Sequence, residues 1–119
     1  MNLNSCKFSK EDRLLKRPQF KLTLDNGRKA VSHELVFISL DNNFQRARLG
    51  LIVSKKVGGA VVRNKVKRRL REIFRHKLER LPGLDIVLIA RHQAADASCD
   101  DLSSAFDHCL RRLHKKTIP

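Results

Sequence analysis

The basic segment after Gly58-Gly59, within "KKVGGAVVRNKVKRRLREIFR" (55–75), carries two patterns at once. Val62, Val66, Leu70, Ile73 and Phe74 recur at spacings of four, four, three and one. At 100° per residue that is a single apolar stripe, so the segment is predicted to be an amphipathic helix ending before Pro82-Gly83. Asn64, Lys67, Arg68, Arg71 and Arg75 fall on the opposite side. Such a helix cannot stand alone: its stripe must dock on another layer, and its other face becomes a ridge of cations. Six of the nine residues from Arg63 to Arg71 are Lys or Arg, and none is acidic. Like charges at helical spacing cost roughly a few tenths of a kcal/mol per pair. Glu72, one turn beyond Arg68 and Arg69, is expected to pair with one of them, which relieves little of this. The ridge calls for a polyanionic partner.

The rest of the composition agrees. The 119 residues suffice for one domain with a modest core, and a hydrophobic content of 41% is too high for a disordered tail. The formal net charge is +14, and residues 54–80 hold 11 basic against two acidic residues. Clustered charge of one sign points to nucleic acid. The longest apolar run, "IVLIA" at 86–90, is far short of the ~20 residues of a membrane span. The first residues lack the apolar core of a signal peptide. A cytoplasmic protein without membrane contact is expected. Cys6, Cys99 and Cys109 form no C-x-x-C pair and read as free thiols, Cys109 in the core.

Around the helix the chain reads as alternating elements. Residues 1–16 are basic and irregular, with Phe8, Leu14 and Leu15 as anchors. A short helix follows, with Pro18 in its first turn, Gly27 at its end, and Phe20 and Leu24 on one face. "ELVFISL" (34–40) and "ARLGLIVS" (47–54) are strands, and the polar "DNNFQR" between them turns the chain back. "GRKAVS" (27–32) is a further short strand, and Gly58-Gly59 permit a sharp turn. "DIVLIAR" (85–91) is continuous enough to be a central strand. Ser98 and Asp101 form a capping box, and Leu102, Ala105, Phe106, Cys109, Leu110 and Leu113 mark the apolar face of a last helix. The expected fold is α+β in two layers, a mixed sheet of about four strands with three helices, in the order α-β-β-β-α-β-α.

No catalytic constellation stands out. His33, His76, His92, His108 and His114 are scattered and lack metal-ligand spacing with Cys, Asp or Glu. No glycine-rich loop precedes a Lys-Ser or Lys-Thr, so a nucleotide site is not expected. Nucleic-acid binding is the better reading. The helix offers only Asn64 as a base-edge reader, and its forks and point charges suit phosphates and shape. Neutralising even ~6 phosphates costs roughly three decades of affinity for a fourfold rise in salt. Phe20 is open to two roles, core packing or stacking an unpaired base. The residues alone lead to structured RNA held through phosphates.

One further likeness is carried by "KKVGGAVVRNKVKRRLREIFR" (55–75), which resembles the signature of the bacterial ribonuclease P protein subunit. "RLLKRPQF", "RLG" (48–50) and "LDIVLIAR" resemble the family's opening, middle strand and last strand, so the likeness covers most of residues 13–113. Gly58, Ala60 and Asn64 stand where charge composition alone would not put them. The resemblance implies a left-handed crossover into the helix. It also implies a protein that assists a catalytic RNA in removing the 5′ leader from precursor tRNA. The chemistry and its Mg²⁺ then belong to the RNA, with no active site on the polypeptide and no protein partner required. Arg63, Asn64, Lys65, Lys67, Arg68, Arg71 and Arg75 would face the catalytic RNA. Phe20, Leu24, Ile38, Lys55, Lys56 and Arg91 would line a cleft for the single-stranded leader. Lys65 stands where the family has a second Arg, which keeps charge and loses bidentate geometry. Leu24 and Ile38 stand where many members carry aromatics. The alternative is a structural RNA-binding protein of the ribosomal type with no processing role.

Overall fold

The apolar run near the C-terminus organises the sheet. In the computed structural model, which describes residues 15–44 and 46–114, it forms strand β4 (Leu84–Ala90), buried along almost its whole length. Ahead of it come helix α1 (Arg17–Asn26) and strands β1 (Arg28–Val31), β2 (Leu35–Asp41) and β3 (Arg48–Ile52). Helix α2 (Ala60–Lys77) precedes β4, and helix α3 (Cys99–Leu113) follows it. The expected order of elements is found, including the short strand within residues 27–32. The expected contacts of Phe8 and Leu14 lie outside the described residues, as does Cys6. Leu15 is buried, and its N–H donates to the Leu49 carbonyl at 2.9 Å.

The sheet order is β1-β2-β4-β3. β2 pairs antiparallel with β1 and β4, whereas β3 pairs parallel with β4. The turn between β2 and β3 does reverse the chain, but the two strands are not neighbours, because β4 inserts between them. The connection from β3 to β4 therefore passes through α2 as a crossover, the link a parallel pair requires.

Strand alternation divides the apolar residues between two faces. Leu35, Phe37, Leu49, Ile86 and Leu88 meet Val66, Leu70, Ile73 and Phe74 of α2 and Leu102, Phe106 and Leu110 of α3. Phe37 and Phe106 pack edge to face with centroids 5.2 Å apart. Cys109 lies in this core, and burial pushes its thiol pKa up. On the opposite face Leu15, Ile38 and Val87 form a smaller cluster, with Phe20, Val36, Ile52 and Ile89 against it. Helix α1 covers part of that face only. It crosses from Phe20, over Gly50 in β3, to Gly27, beside Ile38 in β2. The sequence order alone does not reveal that α1 takes the side away from the other helices.

The helix ends follow local chemistry. Pro18 lies in the first turn of α1, where the Lys16 N–H donates to Gln19 Oε1 at 2.7 Å. At α3, Ser98 Oγ accepts from the Asp101 N–H at 3.0 Å and the Asp101 carboxylate accepts from the Ser98 N–H at 3.1 Å, the expected capping box. Helix α2 has Gly59 at its N-cap, with no side-chain cap and no acidic residue in its first turn. Gly58 before it has φ 157°, and a Cβ there would strike Val62.

Candidate nucleic-acid interface

The stripe of α2 is buried as the periodicity requires: Val66, Leu70, Ile73 and Phe74 all face the core. That anchoring turns Asn64, Lys65, Arg68 and Arg71 outward, all exposed, with Arg63 and Lys67 half-buried beside them. None of the four cations Lys65, Lys67, Arg68 and Arg71 has a carboxylate partner among the described residues. Their charge is left for solvent or a ligand. The Arg63 Nε is buried without a hydrogen-bond partner among the described residues.

Not every basic residue of α2 shares that freedom. Arg69 donates from Nη1 to the Ala97 carbonyl at 2.8 Å, tying the helix to the segment before α3. Lys77, at the last position, is buried and bonds Asp107 of α3 at 3.0 Å. Glu72 does not pair with Arg68 or Arg69 as the spacing suggested. It faces the other way along the helix, to Arg75, with His76 at 3.9 Å. Arg69 is drawn sideways to a backbone acceptor, and Arg68 remains exposed. Arg75 is thus half-engaged, and the free row runs from Asn64 to Arg71. A hollow of about 200 Å³ lies between Arg68, Arg71, Glu72 and Arg75. A larger one, about 630 Å³, lies away from this row near the ends of α1 and α3, with Arg28 in its wall.

The second group of residues surrounds the part of the sheet that α1 leaves open. Phe20 is half-buried, its ring lying on Gly50: a Cβ there would stand 2.5 Å from Phe20 Cζ. Val36, Ile52 and Ile89 are half-buried alongside, and Val36 and Ile52 both pair in register with Ile89. Lys55 and Lys56 are exposed on the turn just past Ile52. Arg91 follows β4 at the same end of the sheet. Its Nη1 donates to the Ser32 carbonyl at 2.8 Å, so it braces the β1–β2 turn. The result is a shallow apolar trough with cations at one end.

Two residues of this group differ sharply in exposure. Ile38 is only 6% exposed, because the end of α1 closes over it. It supports the trough from beneath and offers no surface. Leu24 is 39% exposed, since the buried line of α1 runs through Thr23 rather than Leu24. Gly50 is the member that side-chain reasoning misses, although a lone glycine within an apolar strand signals a close approach.

Among the described residues, no group of three His, Cys, Asp or Glu is arranged to hold a metal ion, and no helix is long and apolar enough to cross a membrane.

Comparison with known proteins bears on this surface. A family model described as Ribonuclease P matches residues 8–114. A ribonuclease P protein component of Stutzerimonas stutzeri is 39% identical over 110 residues, covering 91% of this chain and 84% of that protein. One from Bacillus velezensis is 37% identical over 113 residues, 92% of this chain and 97% of the relative. Among solved structures, a Staphylococcus aureus RNase P protein mutant with defective mRNA degradation activity superposes with a TM-score of 0.80. It is 32% identical, over 87% of this chain and 89% of that one. The RNase P protein from Thermotoga maritima gives 0.73 at 31% identity, over 82% and 93%.

Proposed function

The chain belongs to the ribonuclease P protein family, and on that premise we propose that it binds the catalytic RNA of ribonuclease P and the 5′ leader of precursor tRNA. The bond-breaking chemistry, with its Mg²⁺, is the RNA's, and the complex works in the cytoplasm. The observation that carries this reading is the exposed row Asn64, Lys65, Arg68 and Arg71 on a helix whose other face is locked into the core. A rigid row of charges pays little ordering entropy when phosphates arrive, and it lowers the repulsion between two closely packed RNAs. Arg68 and Arg71 suit bidentate contact with phosphate oxygens, while Lys65 and Lys67 act as point charges. The trough beside Phe20 suits an unpaired strand, with a base against the ring and phosphates near Lys55 and Lys56. Leader contact adds affinity for precursor over mature tRNA.

The test is cleavage of precursor tRNA with a 5′-labelled leader at low Mg²⁺. Bacterial ribonuclease P RNA alone, this protein alone, and the two together are compared. Accurate cleavage restored only in the mixture is the expected outcome. No effect of the protein would reduce it to a general RNA binder, and cleavage by the protein alone would require an active site on the polypeptide.

A further inference from the structure

Phe44, in the loop between β2 and β3, is 59% exposed, and the Arg48 guanidinium stands 4.8 Å from its ring centroid. A single exposed Phe is ordinary. The construction beneath this one is not. Arg48 is held by two parallel bonds to Asp85, Nε to Oδ1 at 2.7 Å and Nη2 to Oδ2 at 2.8 Å. It is therefore occupied as a fork and remains behind the ring. Asn42 ties the loop down: its Oδ1 accepts from the Phe44 N–H at 2.8 Å, and its Nδ2 donates to the Arg46 carbonyl and to Asp85 Oδ1, each at 3.0 Å. A Cβ on Gly83 would lie 1.8 Å from the Phe44 carbonyl oxygen, so the loop backbone rests directly on the chain entering β4. An aromatic side chain is thus mounted outward on a fixed base, with a cation against one side of it.

The position is as telling as the construction. Arg48 and Gly50 are two apart on β3 and share a face, with Cα atoms about 7 Å apart. Gly50 carries the ring of Phe20. The two aromatics are consecutive stations along one edge strand, followed by Ile52 and then Lys55. The geometry points to Phe44 as a second stacking platform, taking an unpaired base of the same RNA strand that lies along the trough. This rests on the leader reading above and extends its track towards the β2–β3 loop. Stacking on a fixed ring needs no particular base, so the platform adds affinity with little sequence preference.

The test uses the reconstituted complex of this protein with ribonuclease P RNA. Precursors with leaders of graded length are compared with mature tRNA. Phe44→Ala should weaken long-leader precursors by roughly 5- to 140-fold, the span that ~1–3 kcal/mol per stacked base gives at 1.4 kcal/mol per tenfold. Short-leader precursors and mature tRNA should be unaffected, and Phe44→Trp should restore binding. The chain has no Trp or Tyr, so the F44W indole is a unique fluorophore, and a long leader should quench it. Equal binding of wild type and Phe44→Ala at every leader length, with no quenching, would overturn the platform. A loss confined to assembly with the catalytic RNA would overturn its assignment to the leader. Wild type that assembles yet ignores leader length would instead overturn the underlying trough reading, and the platform with it.

Discussion

Lys77 Nζ and Asp107 Oδ2 lie 3.0 Å apart, joining the last residue of α2 to the middle of α3. The Lys77 side chain is 11% exposed and that of Asp107 35%, so the lysine depends on its partner more than the aspartate does. Removing the partner of a buried charge is costlier than losing a surface pair. Asp107→Ala should lower unfolding stability by about 1–3 kcal/mol in urea titration and leave the salt dependence of RNA binding unchanged. A changed salt slope would make this pair part of the interface.

Arg68 and Arg71 should behave in the opposite way. Each is exposed without a carboxylate partner among the described residues, and they are three apart on one helix face. Either change to Ala should reduce the slope of log K against log salt by about 1. It should also leave stability unchanged or raise it by a few tenths of a kcal/mol, as like-charge repulsion falls. Filter binding across a salt series and thermal melts separate the two effects. An unaltered slope would mean that these side chains do not touch phosphate.

Gly50→Ala tests the seat of Phe20. The added Cβ would stand 2.5 Å from the ring, which must move. Crowding of this kind typically costs ~1–3 kcal/mol, and precursor tRNA affinity should fall while affinity for the catalytic RNA holds. Phe20→Ala should reproduce the affinity loss. If both variants weaken precursor and mature tRNA equally, the trough does not hold the leader.

His114 and Ser39 supply a pH dependence. His114 Nε2 is 2.8 Å from Ser39 Oγ. Burial, and then the charge of Arg28, lower the His114 pKa below its ordinary 6.5, with Asp41 acting weakly against them. The unfolded chain thus binds a proton more readily than the folded one. Stability contributed by neutral His114 is present above pH ~6.5 and is lost as pH falls below that value towards the folded pKa. Urea midpoints should drop between pH 7 and 5.5, and His114→Gln should flatten this stretch of the profile. An equally steep profile in the variant would assign the dependence elsewhere.

Much of this was legible because period and chemistry coincide. The α2 stripe at four, four, three and one can be buried only as a helix, and the Ser98–Asp101 pair sits where a capping box must. What stayed hidden depends on distant partners. Nothing in Arg69 distinguishes it from Arg68 until the Ala97 carbonyl is beside it. Ile38 and Leu24 differ in exposure because the crossing of α1 over the sheet decides which of them is covered. Insertion of β4 between β2 and β3 is likewise a long-range pairing that no local pattern encodes. The likeness to a known family supplied the expectation of a leader cleft, where periodicity alone would have left an unfilled face.

That insertion has a consequence for synthesis. Among the described residues β3 has no ladder partner other than β4, and β4 is made only after the whole of α2. As the chain emerges from its N-terminus, the β1–β2 hairpin can form early, but β3 and the cationic helix must wait for residues 84–90. The sheet that fixes the ridge closes late, by contacts distant in sequence, which are slow to form. The nascent helix therefore carries its charges unanchored until residues 84–90 have been made, and only then does the cationic face become rigid.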